Sequence, residues 1–463
     1  MSFFQTDTSS GLKIIIVGCG KVGASLVGQL IREGHDISVI DTDSSKIQEI
    51  TNLYDVMGVI GNGASFTIQK DAGVDEADLL IAITGSDELN MLCCTVAKRV
   101  GNCAAIARVR TPDYSQEVGY LREKLGLALI INPELETAVE AANILSMPSA
   151  LEVDAFARGQ ARLVKFKIDE NNILDGKAIM DIDHKHTESI LICAVQRDGE
   201  VVIPSGTFTL RAGDIVSVIG TRKSVRRFMD YIGLRSSTVR NVMIVGGGRA
   251  AYYLALQLLN MGMNVKIIER TAARCEELSI LLPKAIIIHA DGSDEEILKE
   301  EDIANTDAFI PLTGIDEQNI MLTLYAKQAS KAKIITKITR IGFTDVIAGL
   351  DLDSVIYPNK ITSEAIIAYV RAMRNSKGFS NIETLYHLFE DKAEALEFTI
   401  DESNSATDTP LMDLNLKKNL LVTCIIRNGK IIIPRGHDCI QKGDSVVVIT
   451  TETDFKDITD ILA

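Results

Sequence analysis

Lys13 to Asp41 reads KIIIVGCGKVGASLVGQLIREGHDISVID, and Asn241 to Glu269 reads NVMIVGGGRAAYYLALQLLNMGMNVKIIE. Each stretch is an apolar run, a glycine turn, a helix-patterned segment and a second apolar run ending on an acid. Gly18 and Gly246, Gly20 and Gly248, and Asp41 and Glu269 all stand 228 positions apart. Thr84-Gly85 recur as Thr313-Gly314, and Asp87, Glu88 and Asn90 recur as Asp316, Glu317 and Asn319, at 229. Pro204, Gly206 and Gly213-Asp214 recur as Pro434, Gly436 and Gly443-Asp444, at 230. A period held this closely along the whole chain indicates a duplication, which sets the domain plan before any single residue is interpreted.

Within the first copy, apolar runs at 12–17, 37–40, 56–61, 79–84, 104–109 and 128–132 alternate with helix-patterned stretches. Pro133 opens a helix that extends to about Leu145. Continuous rather than alternating apolar runs belong to strands buried on both faces, so the expected fold is α/β, with a doubly wound parallel sheet of Rossmann type. Residues 241–375 repeat the plan. After each unit the pattern changes to alternation, with Asp198-Gly199 and Asn428-Gly429 between alternating runs. Such dipeptides signal two-residue hairpins. Each half therefore ends in a small α+β module. The expected division is an extension over 1–11, Rossmann units over 12–146 and 241–376, small modules over 147–233 and 377–463, and a linker over 234–240.

Gly18, Gly20 and Gly23 fit G-x-G-x-x-G. The first glycine permits the tight turn, the second lets a pyrophosphate approach the backbone, and the third lets the helix pack close. The turn Gly18, Cys19, Gly20, Lys21 and Val22 then presents helix N–H groups to phosphate. Asp41 ends the next strand, where a carboxylate accepts from both ribose hydroxyls and repels a 2′-phosphate, which favours NAD(H). Asp43 reads as a helix N-terminal residue. Thr84 and Gly85 end the fourth strand facing the same crevice, as cofactor contacts or as a strand-to-helix cap. Arg108 ends the fifth, where it would meet a nucleotide, a neighbouring subunit or an acid such as Asp87. Cys19 is the thiol to watch, since a backbone-lined anion site lowers a thiol pKa.

The second turn, Gly246, Gly247, Gly248, Arg249 and Ala250, carries Ala251 in the third glycine position, and Glu269 replaces Asp41. Arg249 and Arg270 add charge suited to a further phosphate, as in ATP or ADP; a degenerate turn kept for architecture is the alternative. No GxxxxGK[ST] stretch exists, so a P-loop is not expected.

The net charge of −15 argues against a nucleic-acid partner. No apolar run approaches the ~20 residues needed to span a bilayer, and MSFFQTDTSS lacks the basic start and apolar core of a signal peptide. The eight cysteines show no Cys-x-x-Cys spacing and read as reduced cytoplasmic thiols. The six histidines do not recur at the repeat period, so no metal site is expected. His184 and His186 read as solvent-facing.

KIIIVGCGKVG, VIDTD, LLIAITGSDELNMLCC, IARVRTPDY, INPELETA and the paired IPSG…AGD and IPRG…KGD strings resemble the TrkA family, the peripheral nucleotide-binding subunits of bacterial Trk potassium uptake systems. The resemblance covers Leu12 to Ala463 and implies tandem RCK (regulator of potassium conductance) N- and C-terminal domains. It implies a cytoplasmic protein, peripheral on the inner face of the plasma membrane, that binds NAD(H) and, in related members, ATP or ADP. It implies self-association into a dimer or ring, and a partner that is an integral membrane potassium-translocating subunit of the TrkH or TrkG kind. The implied first site is the Gly18 to Val22 loop with Asp41, Thr84, Gly85 and Arg108; the implied second is Gly246 to Ala250 with Glu269 and the segment around Asp316. Regulation rather than catalysis is expected. The alternatives are an NAD-dependent oxidoreductase, for which no acid–base pair or substrate domain is evident, and a regulatory module of another ion channel or transporter.

Overall fold

The computed structural model describes residues 11–234, 239–339, 344–350, 352–374, 381–389, 391–452 and 455–463. The expected extension apart from Gly11, most of the expected linker, and the expected border at 376–377 lie outside them. The chain divides into two compact units, Met1–Glu136 with Pro358–Ser363, and Thr137–Tyr357 with Glu364–Ala463.

The first unit holds a six-stranded sheet. Its strands are β1 (Lys13–Val17), β2 (Asp36–Asp41), β3 (Met57–Ile60), β4 (Leu79–Ala82), β5 (Ala104–Arg108) and β6 (Leu129–Ile131), in the order β3-β2-β1-β4-β5-β6. All neighbours are parallel. Ile14, Ile15, Ile16 and Val17 are all buried, as are all four residues of β4, because helices cover both faces. The strand order reverses between β1 and β4, and in open α/β sheets a crevice forms there at the carboxyl ends of the strands. Helix α1 (Lys21–Arg32) follows β1, α2 (Ser44–Leu53) follows β2, α3 (Phe66–Asp71) follows β3 and α4 (Asp87–Val100) follows β4. Asp43 caps α2 by accepting from the Ser45 N–H at 3.0 Å, as its position in the sequence suggested.

The second unit contains the same sheet again, with strands Ile286–His289, Asn264–Glu269, Asn241–Val245, Ala308–Pro311, Lys333–Lys337 and Ser354–Ile356 side by side in that order. It also contains both small modules. In the first module, antiparallel strands lie in the order Glu200–Val202, Ile190–Arg197, Ile215–Thr221, Ala161–Lys167 and Glu152–Phe156. The second module repeats that order from Lys430–Ile432 to Asn381–Leu388. Asp198 and Gly199, and Asn428 and Gly429, all have positive φ, as two-residue hairpin turns require.

The recurring Gly-Asp pair has a structural task. The fully buried Asp214 carboxylate takes both arms of Arg197 at 2.7 Å, and Asp444 takes both arms of Arg427 at 2.8 Å. The two modules also share one apolar core, in which Phe156, Leu163 and Cys193 of the first join Phe389, Cys424 and Val447 of the second. The Ala157 N–H donates to Glu397 at 3.0 Å, and the Tyr386 hydroxyl donates to the Ala155 carbonyl at 3.3 Å. The modules therefore pair with each other inside one chain.

Candidate functional site

Gly18 has φ +106°, a conformation that residues with side chains rarely adopt, so the turn after β1 depends on glycine there. A Cβ on Gly23 would sit 2.1 Å from the Gly18 carbonyl oxygen, so the third glycine is required by the contact of α1 with its own turn. Gly20 differs from both. Its backbone is ordinary extended (φ −71°), and a Cβ there would meet nothing within 4 Å. It stands at the N-terminus of α1, where no side chain caps the helix. Gly20 and Lys21 are exposed, while Cys19 and Val22 are buried beneath them. The result is an open cradle of N–H groups suited to a pyrophosphate.

Asp41 reaches this turn. One carboxylate oxygen accepts from the Cys19 N–H at 2.7 Å and the other from the Asp43 N–H at 2.9 Å. Each oxygen keeps a further acceptor site for a ribose hydroxyl. The Cys19 thiol runs opposite to the sequence expectation. Burial, with the Asp41 carboxylate adding to it, pushes its pKa up to about 12. All eight cysteines are free thiols, and only Cys439 escapes full burial.

On the far side of the crevice, Thr84 and Arg108 are joined by a residue to which the sequence reading gave no role. Asn90, fully buried on α4, accepts from both the Thr84 N–H (2.8 Å) and its hydroxyl (2.7 Å), and donates to the Arg108 carbonyl at 2.8 Å. Arg108 in turn donates to the Thr84 carbonyl. Gly85 is exposed, with open space where a side chain would be. Asp87 does not pair with Arg108. It accepts from the N–H groups of Arg110 and Thr111 and from the Arg110 guanidinium at 3.3 Å.

The second turn repeats this construction with altered charge. Gly246 has φ +98°, and Gly248 again stands at an uncapped helix start with nothing within 4 Å of a Cβ. Glu269 accepts from the Gly247 and Thr271 N–H groups, both at 2.7 Å. Burial works against its charge, but these hydrogen bonds prevail and hold its pKa below the usual carboxylate value. Asn319 binds Thr313 and the Lys337 carbonyl as Asn90 binds Thr84 and Arg108. Lys337 reaches the Leu312 carbonyl at 3.2 Å. Asp316 matches Asp87, and its carboxylate accepts the Thr339 N–H at 2.9 Å, in the loop after the strand. Ala250 is buried, whereas Arg249 and Arg270 are exposed. A further cation, unmarked by any motif, is Arg274, which donates to the Gly247 carbonyl at 2.7 Å.

Elsewhere, His186 is half-buried and stacks on Tyr231 at 3.9 Å rather than facing solvent. Among the described residues, no His/Cys/Asp/Glu group could hold a metal, and no helix is long and apolar enough to cross a membrane.

Two dinucleotide-type turns on duplicated Rossmann sheets, each followed by a paired antiparallel module, define a tandem RCK-type protein. Residues 14–133 and 242–358 match the TrkA-N domain, and residues 163–233 and 395–463 match the TrkA-C domain. The chain is 32% identical over 451 residues to the Trk system potassium uptake protein TrkA homolog of Archaeoglobus fulgidus, covering 97% of this chain and 100% of that one. It is 31% identical over 446 residues to the Trk system potassium uptake protein TrkA of Haemophilus influenzae, covering 95% and 96%. Among solved structures, the GsuK channel bound to NAD superposes with a TM-score of 0.64 at 16% identity, covering 96% of this chain and 78% of that one. GsuK bound to ADP gives 0.51 at 14% identity, covering 79% and 70%. At these identities the structural likeness concerns the fold alone. The chain belongs to the TrkA family of Trk system potassium uptake proteins. Its relatives are transport proteins, which sets aside the oxidoreductase alternative.

Proposed function

We propose that this chain is a cytoplasmic regulatory subunit, peripheral to the membrane, that gates an integral membrane potassium-translocating partner of the TrkH or TrkG kind. The observation that carries the reading is the repeated open cradle at Gly20 and Gly248, each facing an acid already fixed to the turn. NAD(H) is the ligand of the first turn: Lys21 and Val22 open the helix under the pyrophosphate, Asp41 takes the ribose, and Thr84, Gly85 and Arg108 line the far wall. Arg249, Arg270 and Arg274 around the second turn favour an extra phosphate, hence ATP or ADP, with Glu269 on the ribose. A channel that shares this fold has been solved with NAD and with ADP. The borders given from the sequence divide the chain into its four domains, and copies of the chain assemble into a dimer or ring.

A ligand moves a gate only through different affinity for the open and closed states. Several turns per assembly multiply a modest coupling of ~1–3 kcal/mol each. The test is potassium flux in proteoliposomes holding the translocating subunit and this chain. Flux should respond to NADH, NAD⁺, ATP and ADP with the natural chain and lose its NAD(H) response with Gly20→Ala. A full response in that variant would overturn the assignment of the first turn.

A further inference from the structure

The two Rossmann units differ most in chemistry at the end of the sheet opposite the glycine turns. Ile335 pairs with Ser354 as Ile106 pairs with Leu129, so Lys333, Asp353 and Ser354 stand where the first unit has Ala104, Ala128 and Leu129. Three neutral or apolar positions have become a polar triad. Lys333 is buried, and its ammonium donates to Asp353 at 2.7 Å and to the Ala150 carbonyl at 2.6 Å. The other Asp353 oxygen accepts the Ile334 N–H at 3.0 Å. The Ser354 hydroxyl donates to the Leu151 carbonyl at 2.6 Å. Ala150 and Leu151 immediately precede the first strand of the first small module, Glu152–Phe156.

A buried ammonium is costly unless paired and hydrogen-bonded, so its presence here needs a reason beyond filling space. Its place beside Ser354 supplies one: Lys333 holds the Ala150 carbonyl and Ser354 the Leu151 carbonyl, so side chains that the first unit lacks grip two successive carbonyls of the other half. The same five-residue strand carries Lys337 at its opposite end, where Asn319 donates to its carbonyl and its ammonium reaches the Leu312 carbonyl, which itself packs against Gly246 of the second turn.

We propose that Lys333, with Asp353 and Ser354, is a latch that couples the second glycine turn to the first half's small module through the strand Lys333–Lys337. The latch makes nucleotide at one half felt by the other half's module within a single chain. Its regulatory part rests on the nucleotide reading of the second turn, while the latch itself does not.

The experiment is hydrogen exchange on the full chain, followed at peptides spanning 147–156, for the natural protein, Lys333→Met and Ser354→Ala, with and without ADP. ADP binding to the same preparations is measured by calorimetry. Without ligand, Lys333→Met should speed exchange in Leu151 to Phe156 by about tenfold or more, as local opening grows easier. Ser354→Ala, the milder variant should Lys333→Met fail to fold, should give a smaller change of the same sign. ADP should slow exchange there in the natural chain but not in Lys333→Met, although both bind ADP within about threefold. Unchanged exchange in both ligand-free variants would overturn the latch. ADP protection that persists in Lys333→Met, or is absent from a natural chain that binds ADP, would overturn the coupling. If the natural chain binds no ADP, the nucleotide reading and the coupling fall, and the ligand-free comparison still decides the latch.

Discussion

The Asp41 carboxylate lies 2.7 Å from the Cys19 N–H, so the acid ending the second strand is fastened to the turn ending the first. Glu269 and the Gly247 N–H stand at the same distance in the other half. The acid thus shapes the phosphate turn as well as offering itself to ribose. Removing it leaves a buried donor without its acceptor, which costs ~1–3 kcal/mol. Asp41→Ala should therefore lower the urea midpoint of the first unit in the absence of nucleotide. An unchanged midpoint would mean that the acid serves the ligand alone.

The glycines of the first turn should separate by substitution. Gly23→Ala forces a Cβ to 2.1 Å from the Gly18 carbonyl and must displace helix or turn. Backbone overpacking of this kind costs ~1–3 kcal/mol, visible as a lowered melting temperature. Gly20→Ala meets nothing within 4 Å and has an ordinary φ. Its melting temperature should stay within about 2 °C of the natural protein, as for a surface change of under ~0.5 kcal/mol.

Asn90 is fully buried and joins the ends of β4 and β5 through Thr84 and Arg108. Asn90→Ala leaves the Thr84 N–H and the Arg108 carbonyl without this partner. The expected loss is ~2 kcal/mol or more of stability, together with weaker nucleotide binding because the far wall loosens. Chemical denaturation with parallel NADH titration reads both. A variant as stable as the natural protein would show that the bridge is replaceable.

His387 sits between two buried acids, with Nδ1 3.3 Å from Glu364 and Nε2 3.5 Å from Glu394, which Arg371 also grips at 3.0 Å. Burial alone would lower its pKa, but the two carboxylates raise it from 6.5 to about 9. A folded-state pKa above the unfolded one stabilises the fold fully below the unfolded value and loses that contribution as pH rises through the folded one. Stability from this cluster should be present at pH 6 and fade between about pH 6.5 and 9. Urea midpoints across that range should fall more in the natural protein than in His387→Gln. Parallel curves would place the charge elsewhere.

The sheets and turns were legible because their residues face constraints on every side. Ile14 to Val17 are buried on both faces, and Gly18 and Gly23 answer to backbone geometry. The hairpins at Asp198 and Asn428 were legible for the same reason. What escaped depended on contacts between distant segments. Asn90 recurs as Asn319, yet its task emerges only when α4 is set against the ends of two strands. Arg108 and Arg110 are two residues apart, and nothing local says which one Asp87 takes. The thiol expectation for Cys19 weighed the helix terminus and omitted burial and Asp41, which decide it. Strand Glu152–Phe156 was hidden because it buries Asp154 among its apolar neighbours.

The central claim, one nucleotide class per turn, is tested most directly by calorimetric titration of NADH and ADP into the natural chain, Gly20→Ala and Gly248→Ala. Both substitutions fill only open space above a helix start, so a lost signal reports the ligand rather than the fold. NADH affinity should fall by about a hundredfold, ~2.7 kcal/mol, in Gly20→Ala and stay intact in Gly248→Ala, with ADP showing the reverse. Unchanged affinities for both ligands in both variants would contradict the account, since neither turn would then hold the phosphates.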